Sequence, residues 1–272
     1  MVTWDTVRAD HVGGDADHPS PTPFFDSLSR QGLRFTQARS PVPLTLPAHT
    51  SLLTGALPHQ HGVRDNGGYD LSSEVPHLAQ LLQAEGWQTA AFVSAAVLGT
   101  GSGIERGFEV YDDDTSEQAP GRQVPSRPGI ETIRAATAWI EASRTDQPLF
   151  LWVHLFDPHR PWDAEAPWSE DFEPYRAEIA ATDDQTRQLY EALEHRGPLD
   201  RTWLWIAGDH GEGLGEHGEW THGYYAYEST LRVPLAAWWG ESIGRDAIRG
   251  RTVDGRVSLT DLAPTLASLA GL

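Results

Sequence analysis

The chain has 272 residues, no cysteine and a formal net charge of −19. This length is enough for one large α/β domain with a sizeable core, and the absence of cysteine excludes disulfides. The negative charge disfavours nucleic acids and anionic membranes as partners. No stretch is long and apolar enough for a transmembrane segment and no signal peptide is visible, so the compartment stays open.

The predicted elements alternate between strands and helices along the chain. In chain order they are a strand up to Asp5, a helix over residues 21–31, a strand over 33–35, helices over 48–54 and 74–85, a strand over 89–94, a helix over 130–143, a strand over 149–155, a helix over 175–195, a strand over 202–207 and a helix-like segment over 261–272. Such alternation is typical of an α/β fold with a mostly parallel central sheet and helices on both faces. We expect one domain over residues 1–272. The stretches 97–128 and 161–174 are predicted to be irregular and to build the acceptor pocket.

The stretch 43–55, Pro-Leu-Thr-Leu-Pro-Ala-His-Thr-Ser-Leu-Leu-Thr-Gly, predicts a short helix with a hydroxyl at its start. Pro47 suits the first turn and Gly55 is a typical end. Thr45 would then lie at the helix N-terminus, where free N–H groups and the helix dipole favour an anion. Its hydroxyl could attack an anionic ester there. Considered alone, however, this stretch favours a threonine that only caps the helix.

Two apolar runs end in acidic residues, and each predicts a buried strand that carries a carboxylate at its end. The first leads to Asp5, and the second, residues 202–208, leads to Asp209 and His210. Ligands of open α/β sheets bind at the carboxyl ends of strands, so these residues could meet Thr45 there. Two carboxylates, an imidazole and a hydroxyl predict one divalent metal ion. The nitrogen ligand favours Mn²⁺ or Zn²⁺, with Mg²⁺ and Ca²⁺ as open alternatives.

Further motifs carry a resemblance to a known family. In chain order, the matching segments are residues 5–11 (Asp-Thr-Val-Arg-Ala-Asp-His), 22–28 (Thr-Pro-Phe-Phe-Asp-Ser-Leu), 45–55, 59–63 (His-Gln-His-Gly-Val), 154–159 (His-Leu-Phe-Asp-Pro-His), 209–212 (Asp-His-Gly-Glu), 215–218 (Gly-Glu-His-Gly) and 227–234. With these segments the sequence resembles the sulfatases, within the alkaline phosphatase superfamily, over nearly its whole length. In that family a smaller antiparallel C-terminal subdomain normally follows. We therefore expect that subdomain to be missing and the chain to be cut at both ends.

The resemblance implies roles for four more side chains. His159 takes the leaving-group side of the site, where it could donate a proton to the departing oxygen. His49 lies where sulfatases usually carry an arginine that binds the ester, and its alternative is a histidine on the helix surface. His222 lies where many sulfatases carry an anion-binding lysine. Asn66 could donate its amide N–H to an ester oxygen, although a turn residue before glycine is an equal interpretation from its chemistry alone.

Two residues near His159 have interpretations of their own. His154 lies inside the strand predicted over residues 149–155, and we interpret it as structural. Asp157 could complete a second metal site together with His159, as in two-metal phosphatases. We rank that arrangement below a site for a single metal ion.

Thr45 itself departs from the family pattern. Sulfatases carry Cys or Ser at this position and oxidise it to formylglycine, and threonine cannot give that aldehyde because its Cβ carries a methyl group. A threonine alkoxide can still attack an ester directly, as in the phosphatase and phosphodiesterase branches of the superfamily, and water then hydrolyses the covalent ester. The resemblance therefore implies a hydrolase without formylglycine that favours phosphorus esters over sulfate esters.

Three hypotheses follow for the function. The first is a metal-dependent ester hydrolase that uses Thr45 as its nucleophile. The second is a catalytically silent member of the family that keeps the fold to bind an anion, suggested by the altered nucleophile and by His49. The third is a transferase that moves a phospho-substituent to another alcohol. In each case the partner is a small anionic molecule; its identity and the oligomeric state are not readable from the sequence.

Overall fold

The structure, a computed structural model, describes residues 1–14, 19–116, 124–143, 147–162 and 173–272. Strands and helices alternate through much of this part of the chain. The strands are β1 (Val2–Trp4), β2 (Leu33–Phe35), β3 (Ala38–Arg39), β4 (Gln88–Val93), β5 (Val110–Asp112), β6 (Leu149–Leu155), β7 (Trp203–Gly208), β8 (Leu235–Trp239), β9 (Arg251–Val253) and β10 (Val257–Ser258). The helices are α1 (Pro23–Gln31), α2 (Thr45–Thr54), α3 (Pro58–His61), α4 (Leu78–Ala84), α5 (Gly129–Ala142), α6 (Glu173–Arg196), α7 (Glu228–Leu231) and α8 (Leu262–Leu269). None of these helices is long and apolar enough to cross a membrane.

One sheet of eight strands, in the order β5-β4-β6-β1-β7-β8-β2-β9, forms the centre of the described structure. The first five strands in this order, β5, β4, β6, β1 and β7, run parallel to one another. The strand β8 is antiparallel to both of its neighbours, and β9 is parallel to β2. A separate parallel pair joins β3 and β10. The predicted mostly parallel sheet is therefore confirmed. Its topology places the carboxyl ends of β6, β1 and β7 side by side.

Helices cover both faces of the sheet. Successive side chains of a strand point to opposite faces, so each strand can contribute apolar residues to both sides. On β6, Phe150 and Trp152 belong to the apolar cluster that includes residues of α2, α4 and α8. Leu151 and Val153 belong to the cluster on the other face, with residues of α1, α5 and α6. A strand that is buried on both faces needs a nearly continuous apolar run, which explains why β6 is recognisable from the sequence.

Two predictions need correction, and four of the described strands lie outside every prediction. The helix predicted over residues 74–85 begins only at Leu78, because the imidazole of His77 caps it by accepting the N–H of Ala79. The stretch predicted as irregular contains β5, which pairs with β4 over three residues. No prediction covers β3, β8, β9 or β10. Of the two stretches expected to build the acceptor pocket, residues 117–123 and 163–172 lie outside the described residues.

The helix α2 carries Thr45 as its first residue, earlier than the predicted start at residue 48. It ends, as predicted, at Gly55, whose φ of +72° is in the left-handed region that favours glycine. Leu52 and Leu53 are completely buried in the core. The helix is therefore anchored at its C-terminal half while its first turn lies at the sheet edge.

Candidate active site

The register of three adjacent strands creates the site. Trp4 of β1 stands opposite Leu155 of β6 on one side and opposite Gly208 of β7 on the other. The next residues are Asp5 after β1 and Asp209 after β7. Their N–H groups extend the ladder by one step, with bonds of 2.9 Å from Asp5 to Leu155 and 3.1 Å from Asp209 to Trp4. Strand pairing alone thus delivers both carboxylates to the same point.

Thr45 joins these carboxylates from the start of α2. Its Oγ1 lies 3.3 Å from Oδ2 of Asp5 and 3.2 Å from Nε2 of His210. Nδ1 of His210 lies 2.9 Å from the carbonyl oxygen of Gly211. Because a carbonyl only accepts, Nδ1 carries the proton and Nε2 turns its lone pair to the cluster. Ligand atoms of Asp5, Asp209 and His210 lie within 4.8 Å of one another, so the structure brings the four predicted groups together.

The two carboxylates fit a bound metal ion. Oδ1 of Asp5 and Oδ2 of Asp209 are buried and accept no hydrogen bond from any described residue. Burial raises the pKa of Asp5, and burial together with the charge of Asp5 raises the pKa of Asp209 well above its ordinary value. Burying two carboxylates without a counter-charge is costly. A divalent cation would supply both the charge and the contacts that these oxygens lack.

Asn66 holds the first turn of α2. Its Oδ1 accepts the N–H of Leu46 at 2.9 Å, so its amide NH₂ is the group available for the predicted ester contact. Pro47 has no N–H, and the N–H of Ala48 is already bonded to a carbonyl before the helix. Among the described residues, one N–H of the first turn is therefore left without an acceptor, that of Thr45. The helix start offers an anion fewer donors than the sequence alone suggests.

His49 lies beneath this turn and not on the helix surface, so the alternative of a surface histidine is wrong. Its side chain is completely buried. Nδ1 lies 2.8 Å from the carbonyl oxygen of Thr45, and Nε2 lies 2.9 Å from Oγ1 of Thr3. Burial, assisted by the neighbouring His154, lowers the pKa of His49 to about 3, so the ring is neutral. Both ring nitrogens are engaged with protein atoms, and a contact with the ester would have to break one of these bonds.

His222 lies on the other side of the cluster, against His210. Its ring centroid is 4.4 Å from that of His210 and 5.1 Å from that of His159. Nδ1 of His222 lies 3.2 Å from Oε1 of Glu212, a completely buried carboxylate. Burial lowers the pKa of His222, but the hydrogen bond and charge of Glu212 outweigh this effect and raise it overall. His222 is thus more often cationic near neutral pH than an ordinary histidine, which suits an anion.

His159 packs its ring on Phe156, with 4.3 Å between the ring centroids. Its Nδ1 lies 2.6 Å from the carbonyl oxygen of Arg160, so Nδ1 carries a proton and Nε2 is the atom that can exchange one with a ligand. Asp157 caps α5, because both of its carboxylate oxygens accept the N–H of Gly129, at 3.0 and 3.1 Å. Asp157 therefore contacts the start of α5, and the second metal site considered with His159 stays a prediction.

His154 is the part of the cluster that the sequence does not reveal. It is completely buried, and its Nε2 lies 3.2 Å from Oδ2 of Asp5. His154 also lies close enough to His49 and Asp209 for the three side chains to form a second candidate group of metal ligands. The feature of the sequence that could have identified His154 is its position as a polar residue near the carboxyl end of an otherwise apolar strand.

The backbone between β1 and the cluster is strained. Thr6 has a φ of +55°, which is unusual for a β-branched residue. In this conformation its N–H donates to Oδ1 of Asp209 at 3.1 Å. The hydroxyl of Tyr175 donates to the carbonyl oxygen of Thr6 at 2.6 Å and accepts the N–H of Arg8 at 3.0 Å. Tyr175 therefore supports the turn that orients Asp209.

Comparisons with known proteins identify the family of this chain. The Sulfatase family model matches residues 1–272. Arylsulfatase A of Homo sapiens is 28% identical over 331 residues, covering 97% of this chain and 63% of that protein. The ulvan-active sulfatase of Formosa agariphila is 25% identical over 319 residues, covering 100% of this chain and 61% of that protein. The chain thus spans somewhat less than two thirds of these relatives.

Solved structures show the same fold. The phosphonate monoester hydrolase of Agrobacterium radiobacter superposes with a TM-score of 0.79 at 20% identity, covering 100% of this chain and 73% of that one. The structure of Ps i-CgsB also gives a TM-score of 0.79, at 22% identity, covering 99% of this chain and 71% of that one. At such identities the likeness establishes the shared architecture only.

Proposed function

Because this chain belongs to the sulfatase family, we propose that it is a metal-dependent hydrolase of anionic esters with Thr45 as its nucleophile. The ester is of the sulfuric, phosphoric or phosphonic class, and phosphorus esters are preferred. The observation that carries the proposal is the position of Thr45 Oγ1, which lies 3.3 Å from Asp5 and 3.2 Å from His210 in a buried cluster. Two carboxylate oxygens of that cluster have no partner among the described residues.

The metal ligands in this proposal are Asp5, Asp209, His210 and the Thr45 hydroxyl. A divalent ion bound there neutralises charge on the ester oxygens and lowers the pKa of the hydroxyl. The nitrogen ligand favours Mn²⁺ or Zn²⁺ over Ca²⁺, which prefers oxygen ligands.

The proposed reaction has two steps. In the first, Oγ1 of Thr45 bonds to phosphorus and the bond to the leaving oxygen breaks. The hydroxyl proton passes to Oδ2 of Asp5, and His159 donates a proton to the departing alcohol. In the second, water attacks phosphorus and gives a proton to His159, and the Thr45 oxygen leaves and recovers its proton from Asp5. His222, whose pKa is raised, and the amide of Asn66 bind the ester oxygens.

The preference for phosphorus follows from the side chain at position 45. A hydrated formylglycine has a second hydroxyl that can expel sulfate by C–O cleavage, whereas a threonine ester must be hydrolysed at the central atom. Such hydrolysis is familiar for phosphorus and harder for a sulfate monoester. Formylglycine cannot form from Thr45.

A substrate panel tests the proposal directly. Metal-free protein is reloaded separately with Mn²⁺, Zn²⁺, Mg²⁺ or Ca²⁺ and assayed with nitrophenyl sulfate, a phosphate monoester, a phosphodiester and a phosphonate monoester. Equally purified Thr45→Ala protein controls for contaminating hydrolases. We expect metal-dependent turnover of at least one phosphorus ester, faster than turnover of the sulfate. Metal binding without turnover of any ester would favour the silent anion-binding member instead, and transfer to an added alcohol in place of hydrolysis would favour the transferase.

A further inference from the structure

We propose that His49 is a positioning residue for Thr45: its imidazole links Thr3 of β1 to the carbonyl oxygen of Thr45 through two hydrogen bonds, and it does not contact the ester. The catalytic consequence rests on the proposed function of Thr45 as the nucleophile. The hydrogen-bond arrangement itself does not, so the two can be tested separately.

The direction of each hydrogen bond in this chain is fixed by chemistry. The indole Nε1 of Trp152, which can only donate, lies 2.9 Å from Oγ1 of Thr3. The carbonyl oxygen of Thr45, which can only accept, lies 2.8 Å from Nδ1 of His49. Nδ1 therefore carries a proton. With Nδ1 as the one protonated nitrogen, Nε2 accepts the hydroxyl proton of Thr3, 2.9 Å away.

The chain of hydrogen bonds is shielded from water along its whole length. Thr3, His49 and Trp152 are completely buried, and Thr45 is 1% exposed. A buried polar group with no partner is strongly disfavoured, so each bond in the chain helps to select the arrangement of the next. The carbonyl oxygen of Thr45 thus places a proton on Nδ1 of His49, and the bonds to Thr45 and Thr3 together fix the orientation of the ring.

The same ring is less well placed to act as a metal ligand or as an ion-pair partner of Asp209. Nδ1 of His49 lies 3.7 Å from Oδ2 of Asp209, which is beyond hydrogen-bond distance and 0.9 Å longer than the bond to Thr45. His49, His154 and Asp209 do lie close enough to be considered as a group of metal ligands. However, His49 would have to give up its bond to Thr45 or to Thr3 to contribute a nitrogen.

The consequence for Thr45 comes from the strand that carries Thr3. Two residues further along the same chain segment is Asp5, whose Oδ2 lies 3.3 Å from Oγ1 of Thr45. The segment that contains Thr3 and Asp5 therefore contacts Thr45 at two points. Thr3 reaches its carbonyl oxygen through His49, and Asp5 reaches its hydroxyl directly. Loss of the His49 bond should let the first turn of α2 shift against the metal ligands, and small misplacements of a reacting group reduce turnover strongly.

The first experiment determines the tautomer. Zinc-loaded protein labelled with ¹⁵N-histidine is studied by long-range ¹H–¹⁵N correlation spectroscopy, in the wild type and in Thr3→Val. Thr186→Val is the matched control, since Thr186 also accepts an indole N–H at 2.9 Å, from Trp4. We expect His49 to be protonated at Nδ1 alone and its Nε2 resonance to move in Thr3→Val but not in Thr186→Val. A ring protonated at Nε2, or an unmoved resonance, would overturn the proposal whether or not the protein hydrolyses esters.

The second experiment separates positioning from ester binding. We expect Thr3→Val and His49→Leu to lower kcat by roughly 10²-fold while KM stays within about twofold. His49→Asn should recover part of this loss, because its amide nitrogen can occupy the place of Nδ1 and donate to Thr45. A rise in KM at constant kcat would mean that His49 binds the ester. An equal loss in Thr186→Val would mean that only general stability is involved. If the wild type shows no turnover, the proposed function fails and the tautomer experiment alone decides the positioning role.

Discussion

Nε2 of His154 lies 3.2 Å from Oδ2 of Asp5, although 149 positions separate the two residues in the chain. The contact follows from the pairing of β6 with β1, in which His154 stands opposite Thr3. Oδ2 of Asp5 also lies 3.3 Å from the hydroxyl of Thr45. His154 and Thr45 therefore share one carboxylate oxygen, and the other oxygen, which has no partner among the described residues, is the one best placed for a cation.

His154→Leu should weaken metal binding about 10–100-fold, because groups that orient a metal ligand typically contribute that much to affinity. Competition with a chromophoric chelator measures the effect. His61→Leu is the matched control, since His61 is also buried and its Nε2 is bonded to Ser51 at 2.9 Å. Equal losses of affinity in both variants would mean that His154 acts through general stability and not through Asp5.

The metal-free protein should be destabilised by its own carboxylate pair. The pKa values of Asp5 and Asp209 are raised in the folded state, chiefly by burial. The folded protein then holds protons that the unfolded chain releases, so the free energy of unfolding falls as the pH rises above the ordinary carboxyl pKa of about 4. Asp209→Asn removes one of the two charges. We expect this variant, without metal, to be more stable than the metal-free wild type at about pH 8, and to gain less from added metal.

Thermal unfolding of the wild type and Asp209→Asn, each with and without metal and at about pH 5 and pH 8, checks this prediction. The wild type should show the larger metal-dependent rise in Tm, and the difference should grow with pH. A metal-free variant that is no more stable than the wild type, or that keeps the full metal-dependent gain, would contradict the assignment of Asp209 as a ligand.

The groups at the strand ends could be found from the sequence because the pattern that predicts them is local. An apolar run followed by an acidic residue marks Asp5 and Asp209, and parallel strands bring their carboxyl ends to the same edge. The helix spacing also placed His49 one turn from Thr45. Its burial, and hence its contact with Thr3, depended on how α2 packs on the sheet, which no local pattern specifies.

The missed features depend on pairing between distant segments. His154 is a polar residue in an apolar strand, and only the neighbouring position of β1 shows that it meets Asp5. The strand β5 has three residues at the edge of the sheet, and its conformation follows from pairing with β4. The late start of α4 has a different cause, since it depends on a cap supplied by a histidine, a residue type outside the common capping set.

The cap that His77 supplies at the start of α4 predicts that the stability of the protein depends on pH. His77 is buried, its Nδ1 accepts the N–H of Ala79 at 3.2 Å, and burial lowers its pKa to about 3. The folded protein keeps the ring neutral, whereas the unfolded chain takes up a proton below about pH 6.5. The stability that His77 provides is therefore complete above that pH and is lost as the pH falls towards 3, by about 1.4 kcal/mol per pH unit.

His77→Asn isolates this contribution, since asparagine keeps a capping acceptor but does not titrate. Denaturant unfolding at a series of pH values between about 4.5 and 7 gives the free energy of unfolding of both proteins. The variant should lose less stability than the wild type as the pH falls. Parallel curves for the two proteins would show that His77 is not the group that titrates.

His159→Ala should affect substrates according to their leaving groups. Poor leaving groups need a proton as they depart, so alkyl esters should lose about 10²–10⁴-fold in kcat/KM, whereas activated nitrophenyl esters should lose far less. Paired assays of alkyl and nitrophenyl esters measure this difference. His217→Ala is a suitable control, because His217 is a loop histidine stacked on Tyr227. An equal loss for both kinds of ester would leave His159 a binding role only.

The nucleophile itself gives the most direct test, and we expect Thr45 to act unmodified. Thr45→Ala should abolish most turnover, because it removes both the attacking oxygen and a group 3.2 Å from His210. Thr45→Ser should keep appreciable activity, since it preserves the hydroxyl and only frees its rotamer. Mass spectrometry of protein quenched during turnover should find a phosphate-sized adduct on the peptide that contains Thr45 and no adduct in Thr45→Ala. Wild-type turnover in Thr45→Ala that is lost in Asp209→Asn would rule out the covalent mechanism and would indicate direct attack on the ester by water. Equal turnover in both variants would indicate a contaminating hydrolase.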